Sequence, residues 1–148
     1  MTVLTPDKDA ILDSTSLNQY LLSKPEAEEY YPFDDYTAVF KVQGKMFALL
    51  IKKQGAPLLN LKCLPDHAIE LRDIFTDVIP AYHMNKRHWN SIVLSGELPM
   101  GEIQRQIDHS YSLVVKGLKK SVREGLEVRH GKFNLYSDIM AENNHKQH

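Results

Sequence analysis

The alternation of apolar and polar residues is clearest between Thr37 and Cys63, where it predicts three strands. In Thr37–Gln43, Phe40 and Val42 share one face, while Thr37, Val39 and Lys41 share the other. Gly44 supplies a tight turn into Lys45–Ile51, which is apolar on both faces. The pair reads as an antiparallel hairpin whose second strand is central. Lys52-Lys53-Gln54-Gly55-Ala56-Pro57 breaks the pattern as a basic loop. Leu58–Cys63 follows as a third strand, with Leu59, Leu61 and Cys63 alternating against Leu58, Asn60 and Lys62.

Helical spacing flanks this block. Ser14 or Ser16 caps a short helix to about Ser23, carried by Leu17, Tyr20 and Leu21, and Glu26–Pro32 reads as a turn or short helical piece. Pro65 suits the first turn of a second helix, because its missing amide donor would be unpaired there anyway. Asp66 then sits at the positive helix end, and Ala68, Leu71, Ile74 and Phe75 form an apolar stripe through to about Asp77. Ile79–Met84 and His88–Leu94 look like a further strand pair around the charged turn Asn85-Lys86-Arg87. Pro99 opens the longest helix, with Met100, Ile103, Ile107, Tyr111, Val114 and Leu118 at steps of three and four. Gly125 reads as a stop soon afterwards, and Leu126–His130 and Lys132–Tyr136 pair across Gly131. These elements make an α+β chain with an antiparallel sheet of about five strands. It reads as one domain over 1–148, with flexible ends at 1–13 and 142–148, and without repeats or linkers.

Composition narrows the function classes. With 148 residues, 43% of them hydrophobic, the chain has enough apolar material for a core and is not disordered throughout. A single cysteine, Cys63, excludes an intramolecular disulfide framework and a Cys-rich zinc site. The amino end lacks the look of an export signal, and the longest apolar run, Met46–Ile51, is too short to span a bilayer. A soluble cytoplasmic protein with no membrane partner is the economical reading, and the lack of a heptad seam makes monomer the default.

The net charge is −1, but it is unevenly spread. Residues 1–36 hold two lysines against eight acids, a balance of −6; residues 37–148 hold sixteen basic against eleven acidic residues, a balance of +5. Between Asp35 and Asp66 stand Lys41, Lys45, Lys52, Lys53 and Lys62 with no acid among them. Such lysines can neutralise phosphate, although lysines on edge strands also serve to block unwanted sheet pairing. The richest stretch is His83-Met84-Asn85-Lys86-Arg87-His88-Trp89-Asn90. Lysine and arginine bind phosphate, arginine reads guanine, asparagine pairs with adenine and tryptophan stacks on bases. The plainer reading makes Trp89 a core residue, His83 and His88 backbone caps, and Lys86-Arg87 a solvated hairpin tip.

Catalysis and metal binding are weaker readings. Seven histidines occur without a His-Glu-x-x-His pattern, and His83, His88, Asp66 and His109 have no spacing that demands a metal. Cys63 with Asp66 and His67 suggests an activated thiol, yet Cys63 continues the inward face of Leu59 and Leu61. Asp108-His109-Ser110 is consecutive on a helix, where neighbours point about 100° apart. The expectation is no catalytic residue, no cofactor and no metal.

Several motifs carry a family resemblance. Tyr31-Pro32-Phe33, Val39–Ala48, Leu59-Asn60-Leu61-Lys62-Cys63, Pro80–Asn90 and Ile107-Asp108-His109-Ser110-Tyr111 resemble the MmcQ/YjbR family across about residues 31–116. The resemblance implies a bacterial protein with a double-wing, DNA-binding-like α+β domain whose helices pack chiefly on one face of the sheet. The natural wings are the hairpin at Gly44 and the one around Asn85–Arg87. The functional expectation is therefore noncatalytic binding of duplex DNA by Lys41, Lys45, Lys52, Lys53, His83, Asn85, Lys86, Arg87, His88, Trp89 and Asn90. The alternative is a protein-interaction module using the acidic amino segment or an apolar patch around Tyr30, Tyr31 and Phe33.

Overall fold

A computed structural model describes residues 14–137; the expected flexible ends, 1–13 and 142–148, lie outside them. The described elements are α1 (Ser14–Leu22), β1 (Ala27–Tyr30), β2 (Thr37–Val42), β3 (Lys45–Ile51) and β4 (Leu58–Lys62). They continue with α2 (Pro65–Ile74), β5 (Val78–Pro80), β6 (Trp89–Val93), α3 (Met100–Lys116), α4 (Lys120–His130) and α5 (Lys132–Leu135). Six strands form one sheet in the order β1-β2-β3-β4-β6-β5, every neighbouring pair antiparallel. The helices pack against one face, as an α+β chain with this pattern requires.

The β2–β3 hairpin turns at Gln43-Gly44, both with positive φ (49° and 77°), the pairing of twists that suits a two-residue hairpin turn. Phe40 and Ala48 face each other in register, but Lys41 then faces Met46, so Phe47 is an extra residue in β3. The bulge brings Phe47 into the core, where its ring meets Tyr111 of α3 edge-on at 5.2 Å. Such a ring pair adds about 0.5–1.5 kcal/mol beyond area burial. Phe40, Ala48, Leu50, Leu59, Leu61 and Ile92 form the sheet side of that core; Ile103, Ile107, Tyr111 and Val115 of α3 close over it.

Four expectations are corrected. Glu26–Tyr30 contributes a strand and not a helical piece: Glu26 (φ 58°) turns the chain, and Ala27–Tyr30 pairs with β2. The antiparallel sheet of about five strands is as expected, and this edge strand makes six. In the second strand pair only Val78–Pro80 and Asn90–Ile92 are paired with each other, because Ala81–His88 leaves the ladder as turns. Helix α2 ends at Ile74, which is exposed and does not extend the apolar stripe. The segment 120–135 is helical, not a hairpin. Gly125 lies inside α4, and its unfavourable helix propensity of about 1 kcal/mol is outweighed by complete burial of the adjacent Leu126, joined in the core by Leu135.

Candidate nucleic-acid interface

Strand direction decides which basic residues meet. β2 runs toward the Gln43-Gly44 turn, β4 runs the same way to Lys62, and Lys62 pairs with Trp89 at the start of β6. Both turns, Gln43-Gly44 and Asn85–Arg87, therefore lie at one end of the sheet. Lys41, Lys45 and Lys62 are there, with Lys86, Arg87, His88 and Trp89. Lys45, Lys86 and Arg87 are exposed, while Lys41, Lys62, His88 and Trp89 are half-buried. None of Lys41, Lys45, Lys62, Lys86 and Arg87 forms an ion pair with a described residue. Lys41 instead stands over the Tyr30 ring at 5.4 Å. Arg87 also borders a hollow shared with Asp66 and Glu70, so the field at this end is not purely positive.

The charged turn is built, not loose. The Asn85 side-chain oxygen accepts the Arg87 amide at 2.9 Å, and its backbone carbonyl accepts those of His88 and Trp89. From the helical side Arg72 donates to the Lys86 carbonyl at 3.0 Å. The backbone carrying Lys86 and Arg87 is therefore held while their side chains remain in water.

The other expected site residues are elsewhere. Asn90 is buried and its amide donates to the Ala68 carbonyl at 3.1 Å, so it locks α2 to β6 and cannot read a base. Lys52 and Lys53 lie beyond the opposite end of β3 from Lys45, about 20 Å along a seven-residue strand. Lys52 is also engaged, donating to the Tyr31 hydroxyl at 2.7 Å and standing 3.6 Å from Glu29. His83 takes a left-handed conformation (φ 59°) with its ring 3.9 Å from that of Tyr82.

Two enzyme readings meet physical objections. Burial pushes the Cys63 thiol up to about 11, so it is not a thiolate near neutrality. His109 faces His67, Nε2 to Nδ1 at 3.4 Å, and is not gathered with His83 and His88. Among the described residues no group of three or more His, Cys, Asp or Glu is placed to hold a metal ion. Among them, too, no helix is long and apolar enough to cross a membrane.

The motif at 107–111 proves to be bracing. Asp108 accepts the Tyr20 hydroxyl at 2.6 Å and the Lys24 ammonium at 2.8 Å, and the Tyr111 hydroxyl donates to the Pro25 carbonyl at 2.6 Å. Together they hold the α1–β1 connection to α3. Burial, then Asp108, holds the Tyr20 phenol well above its ordinary value.

Sequence reading missed a cleft on the helix-free face, floored by Met46, Leu49, Ile51 and Leu58. The signal in the sequence is that Lys45–Ile51 is apolar on both faces, a pattern that a central strand and an open apolar floor share.

A family model described as YjbR matches residues 22–113, which take in the whole sheet and most of α3. The chain belongs to the YjbR/MmcQ family. It is 36% identical to the uncharacterized protein YbdF of Escherichia coli O157:H7, covering 81% of this chain and 100% of that one. It is 34% identical to the uncharacterized protein YjbR of Escherichia coli K12, covering 74% and 93%. Among solved structures, the Deinococcus radiodurans protein DR2400, described with a DUF419 domain, superposes with a TM-score of 0.72 at 34% identity, covering 79% and 89%. A Pseudomonas syringae protein superposes with a TM-score of 0.61 at 29% identity, covering 69% and 98%.

Proposed function

We propose that this chain binds duplex DNA, without catalysis, through the turn-bearing end of its sheet. The observation that carries the reading is the set Lys41, Lys45, Lys62, Lys86 and Arg87: five cations at one end of the sheet, none ion-paired to a described residue. Lys45 at one turn and Lys86-Arg87 at the other share this end of the sheet with the half-buried Trp89, a set of residue types suited to a phosphate backbone with one aromatic ring against it. Asn85 is occupied in shaping its turn, so base reading falls to Arg87 and sequence preference is weak.

The test is a fluorescence-anisotropy titration of labelled duplex DNA at low salt. Wild type and Lys52→Glu/Lys53→Glu protein bind alike, and Lys86→Glu/Arg87→Glu protein binds at least tenfold more weakly, roughly the loss of two phosphate contacts followed by repulsion. Negligible binding by wild type defeats the reading.

A protein-interaction role has one observation of its own. Tyr30, the last residue of the edge strand β1, and Tyr31 and Phe33 just after it are all exposed. The two tyrosine hydroxyls are hydrogen-bonded to Glu28 and Glu29, which leaves Phe33 as the bare apolar contact.

A further inference from the structure

We propose that the helix-free face of the sheet holds a binding site for a flat aromatic anion of about two fused rings, separate from the basic end. The cleft there has a volume of about 740 Å³, within the range of small-molecule sites and too large for one side chain to fill. Its floor is Met46, Leu49, Ile51 and Leu58, half-buried side chains on the face that the helices leave open. A soluble protein seldom keeps such a floor open without a use for it.

Both walls are fixed before any ligand arrives. On one side Asp34 accepts the amides of Tyr36 (3.0 Å) and Thr37 (2.7 Å) and the Thr37 hydroxyl (3.1 Å), which fixes the backbone turn from which Phe33 and Tyr36 reach the mouth. On the other side the buried Asn60 amide donates to the Tyr82 carbonyl (3.2 Å). The Ser91 hydroxyl accepts the Tyr82 amide (3.0 Å) and donates to the Asn60 side-chain oxygen Oδ1 (2.5 Å). That network draws Tyr82, His83 and Met84 across the sheet. A cleft with walls tied to a rigid sheet loses little entropy on binding.

The chemistry of the lining selects the ligand. Rings of Phe33, Tyr36 and Tyr82 at the rim, with Met46 in the floor and Met84 in the wall, favour a flat, polarisable body. Of the two charged lining residues, Asp34 keeps its negative charge but has its carboxylate engaged by three hydrogen bonds from Tyr36 and Thr37, whereas Lys53 is exposed and has no ion-pair partner among the described residues. The lone unpaired cation at the rim favours a single carboxylate or sulfonate over a neutral group.

The experiment titrates 2-naphthoate into protein carrying 13C-methyl labels on Leu, Ile and Met. Saturable shifts are expected at Leu49, Ile51, Leu58 and Met84, with weaker binding of neutral 2-naphthalenemethanol. Lys53→Glu, an exposed substitution that leaves the fold intact, weakens naphthoate roughly fivefold and leaves the alcohol unchanged. Lys86→Glu/Arg87→Glu leaves both unchanged, which separates this site from the DNA reading. Shifts that stay linear into the millimolar range, shifts scattered over the helical side, or equal affinity for acid and alcohol each overturn the proposal.

Discussion

The Ser110 hydroxyl donates to the Phe47 carbonyl at 2.6 Å and, from the same oxygen, accepts the Lys62 amide at 2.8 Å. A side chain of α3 thereby bridges β3 and β4 one step beyond their last backbone pair, Ala48 with Leu61, on the strand that the β2–β3 bulge distorts. Ser110→Ala leaves a buried carbonyl and amide without this bridge. It is expected to cost about 1–3 kcal/mol in a urea melt, with the folded spectrum otherwise retained.

Asp108 holds a nearly buried Lys24 as well as Tyr20. Asp108→Ala strands that ammonium and is expected to destabilise by about 3 kcal/mol. Arg123→Ala, which removes only a 3.8 Å helical pair with Glu127, is expected to cost less than about 0.5 kcal/mol in the same melt.

Glu26 binds Arg129 at 2.7 Å and His130 at 2.7 Å, and these contacts, Arg129 first, bring its carboxyl down to about 2 from an ordinary 4.5. The folded state thus holds Glu26 ionised where the unfolded chain has begun to take up its proton. Its contribution is complete above about pH 4.5 and disappears as pH falls toward 2. Acid titrations of stability are expected to show a shallower loss across that window for Glu26→Gln than for wild type.

How much of this was legible depends on range. Pro65, with Asp66 after it, declares a helix start locally, and the three-and-four spacing from Met100 to Leu118 declares α3 within a few turns. β1 and α4 obey distant partners instead: Ala27–Tyr30 is a strand because β2 offers an edge, and Gly125 is helical because Leu126 reaches the core. At the candidate interface, Lys86 and Arg87 were readable because a polar turn must face water. Asn90 was not, since its role depends on Ala68 lying across from it, and the same chemistry that suits a base edge suits a backbone carbonyl. By contrast, the strand reading of Lys45–Ile51 already separates Lys45 from Lys53 by the length of β3; what strand pairing adds is that Lys45 shares its end with Lys62 and Trp89.

The wall network around Asn60 supplies a further expectation. Asn60→Ala removes the donor to the Tyr82 carbonyl and the acceptor for Ser91, at about 2 kcal/mol. Hydrogen exchange at the Tyr82 amide is expected to quicken beyond the global change, because that segment is tied to the sheet chiefly by this network.

The most direct measurement is the dependence of DNA affinity on salt for single alanine variants. Each lysine that contacts phosphate releases a counterion, so Lys45→Ala and Lys86→Ala are each expected to flatten the slope of log affinity against log salt by about 0.9, with Lys53→Ala unchanged. Slopes identical for all three variants and wild type, or no measurable affinity for duplex DNA at low salt, would contradict the account.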